Sequence, residues 1–136
     1  MSYPVTVDID VLWGDLDALG HVNNTRFFTW FESARIAAFA RIGMTVDNPG
    51  AVGPILATTT CDFMQALTYP DELTVGCRIP RVGNTSFGME YAIWRRGHPD
   101  DRVAKGSGVI VLVNYKTGEK VRVPDDIRAA IDALSQ

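Results

Sequence analysis

The stretch from Asn24 to Gly43, NTRFFTWFESARIAAFARIG, constrains the fold more than any other part of this chain. Phe27, Phe31, Ala34, Ala38 and Ile42 recur at helical spacing, and Trp30 and Phe39 widen the apolar stripe. The helix is expected to begin near Asn24 or Thr25, with Asn23 or Asn24 as N-cap. It should stop at Gly43, a residue suited to the left-handed position that ends a helix. That gives roughly 18 residues, or about 27 Å at 1.5 Å per residue, buried over most of its circumference. A chain of 136 residues has the size of one domain, 1-136, so the rest of it must wrap this helix.

The wrapping reads as strands. From Pro4 to Trp13, apolar Val5, Val7, Ile9, Val11 and Trp13 take every second place, with Thr6, Asp8 and Asp10 between them, which marks a half-buried strand. Downstream, Ile55 to Leu67, Glu72 to Val82, Ser86 to Arg95 and Val103 to Tyr115 read as further strands. Their turn signals are Tyr69-Pro70-Asp71, Gly83-Asn84, Gly97-His98-Pro99-Asp100-Asp101 and Lys116-Thr117-Gly118. Short turns make neighbouring strands antiparallel. After Val121 to Val123, Pro124 and the acids Asp125 and Asp126 introduce a last short helix to Leu134. The expectation is an α+β domain: one curled antiparallel five-stranded sheet wrapped around one long central helix, with a short C-terminal helix.

Charge and cysteine content narrow the function. A formal net charge of −3 with scattered Lys and Arg leaves no basic stripe, so nucleic-acid binding has no electrostatic footprint. Cys61 and Cys77 make neither a disulfide framework nor a zinc motif and read as reduced core thiols. Met1 to Asp10 has no basic leader and no run of apolar residues is long enough to span a bilayer, so a soluble cytoplasmic protein without membrane attachment is expected.

The chemistry gathers just before the long helix, in Trp13-Gly14-Asp15-Leu16-Asp17-Ala18-Leu19-Gly20-His21-Val22-Asn23-Asn24. This run delivers a pair of acids and a glycine turn to the positive end of a core helix, where a developing oxyanion is stabilised. Asp15 reads as a structural residue bonding loop N–H groups. No third carboxylate accompanies the pair, so a metal site is not expected. His21 reads either as a general acid or as a residue that orients the loop.

The block D-x-D-x-x-G-H-V-N-N-T, followed by R-F-F-T-W-F-E-S-A-R, resembles the start of the hotdog-fold acyl-CoA thioesterases of the 4-hydroxybenzoyl-CoA thioesterase type. The likeness extends through Pro54-Ile55-Leu56, Tyr69-Pro70-Asp71-Glu72-Leu73 and Gly83-Asn84-Thr85-Ser86-Phe87. It implies a hotdog fold and a homodimer with two sites at the subunit interface, with pairing into a tetramer left open. It also implies hydrolysis of an acyl-CoA to acid and CoA, with no metal and no cofactor beyond the CoA of the substrate. By the same resemblance Asp17 is the catalytic carboxylate and the Asn24 backbone N–H the oxyanion donor, with His21 a neighbour at the site. Thioester hydrolysis does need a carboxylate nucleophile or base together with oxyanion donors.

Glu32 is the competing carboxylate. A second branch of these enzymes places it on the central helix eight residues after the oxyanion-donating position, but this chain has Asn23-Asn24 where that branch has a double glycine. Arg35 at i+3 makes an ion pair the simpler reading of Glu32. For the CoA phosphates the resemblance points to Arg81, Asn84, Thr85, Ser86 and Lys105. The chain lacks a cluster of Arg or Lys after Val82, which leaves acyl carrier protein thioesters open as substrate. The acyl group is expected near Trp13, Phe27, Phe28, Phe31 and Phe63, residues whose plainer role is core packing. Competing functions on this fold are a non-catalytic acyl-binding module and an enoyl-thioester hydratase or dehydratase.

Overall fold

The computed structural model describes residues 2–44 and 51–135. The elements are β1 (Val5–Asp10), a 3-10 turn (Trp13–Asp15), α1 (Asn24–Arg41), β2 (Val52–Phe63), β3 (Glu72–Val82), β4 (Ser86–Arg95), β5 (His98–Asn114) and α2 (Asp125–Leu134). All five strands form one sheet in the order β1-β3-β4-β5-β2, each neighbouring pair antiparallel. The sheet curls around α1 in the hotdog arrangement.

Alternation along the central strands builds the concave face. Leu73, Val75, Cys77 and Ile79 of β3 and Phe87, Met89, Tyr91 and Ile93 of β4 are all buried. Against them α1 places Phe27, Trp30, Phe31, Ala34, Ala38 and Phe39, each large side chain contributing roughly 1.5–3 kcal/mol by its burial. Phe31 lies flat on Tyr91, with ring centroids 4.7 Å apart and planes 12° from parallel. Beneath it Gly106 of β5 offers no side chain, so the helix approaches the sheet closely there.

α1 ends as expected, with Arg41 its last residue, Ile42 the C-cap and Gly43 the left-handed C′ residue at φ +87°. Other features differ from the sequence expectation. α1 is buried along a stripe and open elsewhere: Thr25, Arg26, Thr29, Glu32, Ile36 and Ala40 face out. β1 stops at Asp10 because Val11 N–H bonds the Asp71 carbonyl and the chain turns away, leaving Trp13 exposed, edge-on to Tyr69 at 5.8 Å. β2 runs from Val52 to Phe63, three residues earlier at its start and four at its end than Ile55 to Leu67. β5 begins at His98, so the expected turn Gly97 to Asp101 contracts to Arg96-Gly97 with an irregular stretch after it. That irregularity carries Asp101 to Arg95, 3.0 Å away, which the periodicity of either strand does not encode. Among the described residues no helix is long and apolar enough to cross a membrane.

Candidate active site

Asp15, nine-tenths buried, locks the loop before α1. Its Oδ2 accepts the Leu12 N–H at 2.8 Å, its carbonyl accepts the Asn23 N–H at 2.9 Å, and Arg26 stands 3.4 Å from its Oδ1. Leu16 and Val22 form a bridge just above this lock, and the turn between them is closed at both edges. There Asp17 N–H bonds the His21 carbonyl at 2.8 Å and Gly20 N–H the Asp17 carbonyl at 3.0 Å. Gly20 holds φ +80°, a left-handed conformation that a side chain would disfavour. The Asp17 carboxylate sits exposed at this turn. Its Oδ1 accepts the Leu19 N–H at 2.9 Å, and its Oδ2 has no partner among the described residues.

Asn23 caps α1: its Oδ1 accepts both the Thr25 N–H and the Thr25 hydroxyl at 2.9 Å, and its carbonyl accepts the Arg26 N–H at 3.0 Å. The next donor, Asn24 N–H, has no partner among the described residues. It is one of the free N–H groups that concentrate a partial charge of about +0.5 at a helix start. Asn24 opens into a cleft of about 280 Å³, with His21 and Phe27 on its own side and Phe63 to Leu67 opposite.

That opposite wall is held by a network the sequence did not reveal. Val22 N–H bonds the Leu67 carbonyl at 2.8 Å. Gln65 donates to Asp101 and to the Arg102 carbonyl, both at 2.8 Å, and accepts from Arg95 at 2.8 Å. Arg95 also reaches Asp71 and Asp101, each at 3.0 Å. The hydrogen bond from Gln65, and then that from Arg95, holds the Asp101 carboxyl below the usual carboxylate range. The partners lie on three separate segments, so no local pattern in the sequence announces them.

The predicted aromatic residues divide. Phe27 and Phe63 meet edge-to-face at 5.0 Å beside the cleft, and Phe28 stands 6.3 Å from Phe63. Phe31 is wholly buried against Tyr91, and neither it nor Trp13 lines the cleft. Glu32 is also elsewhere: it is exposed, lies 3.7 Å from Arg35, and lines a different cavity.

Arg81, Asn84, Thr85 and Ser86 lie at the far end of β3 and the start of β4. Roughly 33 Å of strand, ten steps of about 3.3 Å, separates that turn from the Glu72 end of β3 near the cleft. The Asn84 carbonyl accepts from Val123 N–H and Arg128, and the Thr85 carbonyl from Leu112 N–H. Lys105 is exposed on β5. One protomer therefore does not bring Arg81, Asn84, Thr85 and Ser86 to Asp17, whereas Lys105 stands across from Asp62, next to Phe63 of the cleft. Among the described residues, no three His, Cys, Asp or Glu side chains converge to hold a metal ion.

The chain is matched over residues 11–131 by the family model described as thioesterase-like superfamily. It is similar to a putative thioesterase of Pseudomonas aeruginosa, with 32% identity and a TM-score of 0.86, over 96% of this chain and 99% of that one. A thioesterase of Thermus thermophilus, solved with coenzyme A and Zn, shares 36% identity at a TM-score of 0.83, over 97% and 95% of the two chains. The uncharacterized protein YsmA of Bacillus subtilis is 27% identical over 87% of this chain and 78% of its own.

Proposed function

The chain belongs to the thioesterase-like superfamily and is a thioester hydrolase, and from that premise we propose that it cleaves acyl-CoA thioesters to the free acid and CoA. In this reading Asp17 is the catalytic carboxylate and Asn24 N–H the oxyanion donor. The observation that carries it is the unbonded Asn24 N–H at the positive end of α1, opening into a cleft beside Phe27 and Phe63.

A thioester carbonyl oxygen seated at Asn24 N–H gains most when it becomes an oxyanion, because the donor and the helix dipole are already aimed at it; removing one such donor typically costs about 3 kcal/mol. The free Oδ2 of Asp17 then has two routes. It attacks the carbonyl carbon, and water opens the resulting anhydride, or it takes a proton from the water that attacks. In both, the C–S bond breaks and the thiolate leaves as CoA. His21, within the same turn, orients Asp17 by accepting its N–H at the backbone carbonyl.

CoA as the leaving group is supported by the coenzyme A bound to the Thermus relative. The residues read as phosphate contacts, Arg81, Asn84, Thr85 and Ser86, serve this cleft only from a second subunit, which supports a homodimer. β2 is the outermost strand on its side of the sheet, and its unpaired backbone edge is suited to a second copy.

The test is thiol release from short, medium, long-chain and aromatic acyl-CoAs by wild type, Asp17→Asn and Glu32→Gln. Asp17→Asn should lose about 10³-fold in kcat while keeping its melting temperature. A greater loss in Glu32→Gln than in Asp17→Asn would move the catalytic carboxylate onto α1. Absence of thiol release by wild type would direct the search to acyl carrier protein thioesters and to acyl binding without chemistry.

A further inference from the structure

A second cavity, of about 640 Å³, lies between α1, the start of β2 and the start of α2, away from the cleft at Asn24. Ile36, Phe39, Ile55, Leu56, Leu112 and Ile127 make its walls largely apolar. Arg35 stands in this wall, its side chain only 9% exposed. Its Nη1 donates to the Tyr91 hydroxyl at 3.2 Å, and its other N–H groups have no hydrogen-bond partner among the described residues. Glu32, at 3.7 Å and 64% exposed, is the nearest carboxylate and too distant for a short charge-assisted bond. Asp126 lines the opposite rim from the exposed first turn of α2.

A guanidinium carries five N–H donors, and with one of them on the Tyr91 hydroxyl the others can take an acceptor that enters the cavity. Tyr91 supplies no counter-charge, since burial pushes its phenol up to about 12. The cavity thus combines the walls that suit a hydrocarbon chain with a planar cation that pairs best with a carboxylate. Asn24, which lines the cleft, and Arg35, which lines this cavity, lie eleven residues apart on nearly the same face of α1. From Asn24 to Arg35 the helix rises about 16 Å, and the arginine side chain leans back toward the helix start.

We propose that this cavity is the distal acyl subsite and that Arg35 selects acyl groups ending in a carboxylate, so that ω-carboxyacyl thioesters are the preferred substrates. The inference rests on the hydrolase reading above and adds the chemistry of the acyl end. Glu32 is the tethered, water-exposed anion whose place beside Arg35 the substrate carboxylate takes. The bond made is a reversible ion pair, with no covalent step.

The experiment compares each straight-chain acyl-CoA with its ω-carboxy counterpart of the same length, from adipoyl to tetradecanedioyl. At the best length the ω-carboxy substrate should have a kcat/KM about tenfold or more above its alkyl partner, carried by KM. In Arg35→Gln that ratio should fall toward one. In Glu32→Gln it should rise, since a competing carboxylate is gone. A purely structural Arg35 would lower both substrates alike and leave the ratio unchanged, and that result overturns the proposal, as does a ratio near one in wild type at every length. Should Arg35→Gln not fold, Glu32→Gln still decides, because a ratio that does not rise also overturns it. Calorimetric titration with non-hydrolysable thioethers, ω-carboxyalkyl-CoA against alkyl-CoA, separates the two readings. Preference in binding without thiol release keeps this subsite and removes the hydrolase, whereas thiol release without preference does the reverse.

Discussion

Replacing Gly106 by Ala should destabilise the protein by about 1–2 kcal/mol net, through a contact between α1 and the sheet. A Cβ at this position would stand 2.5 Å from the Thr60 carbonyl oxygen and 2.7 Å from Phe31 Cζ, with Phe31 Cε2 in contact as well. Ordinary carbon contacts are about 3.5–4.0 Å, so something must move by roughly 1 Å. The Thr60 oxygen is backbone of β2, which pairs with β5 along this stretch, and it does not yield alone. The Phe31 ring is fully buried and stacked flat on Tyr91, so it has no free direction either. The remaining response is for α1 to lift. Overpacking of this kind costs about 1–3 kcal/mol, while a Gly→Ala change returns roughly 0.4–1 kcal/mol by restricting the unfolded chain. Urea unfolding followed by tryptophan fluorescence should show the loss, with a melting temperature lower by roughly 4–8 °C. The double variant Gly106→Ala/Phe31→Leu should recover part of it, because the two changes share one contact. A Gly106→Ala protein within about 0.5 kcal/mol of wild type, or strict additivity in the double variant, would refute the close approach of helix and sheet.

Two further outcomes follow from the same geometry. Asn23→Ala removes the acceptor for the Thr25 N–H and hydroxyl and should cost about 1 kcal/mol in urea unfolding; an unchanged midpoint would mean the cap is satisfied by water. Stability should also decline in alkali, since burial pushes the Cys77 thiol from 9.0 up to about 12 and the Tyr91 phenol from 10.0 up to about 12. Both groups are neutral when protonated, so the unfolded chain ionises first. Their contribution is complete below about pH 9, falls by up to about 1.4 kcal/mol per pH unit for each group, and is gone once pH passes the folded values. Cys77→Ala should lessen the decline between pH 9 and 10, before Tyr91 begins to contribute, the remainder coming from Cys61, whose thiol is pushed up to about 11 by burial and then by Asp62; a wild-type midpoint constant from pH 8 to 11 would contradict the burial of these groups.

Much of the fold and part of the site are legible in the chain itself. The stripe Phe27, Phe31, Ala34, Ala38 and Ile42, the alternation along β3 and β4, and the acids after Pro124 mark their elements because burial periodicity and helix-end electrostatics act over a few residues. Asp15 as the loop's lock, Asn23 as the cap and the Glu32–Arg35 pair are local for the same reason. Tertiary structure alone decided the rest. Asp101 is drawn to Arg95 and Gln65, which shifts the start of β5 and fixes the wall facing Asn24. Trp13 turns outward and Phe31 inward although both are aromatic residues close to the same loop. The length of β3 sets Arg81 and Ser86 apart from Asp17, and the gap between α1, β2 and α2 leaves Arg35 facing a chamber. A residue's own pattern tells which side of an element it lies on; what stands across from that side depends on segments tens of residues away, whose register and curvature settle only when the whole sheet closes on the helix.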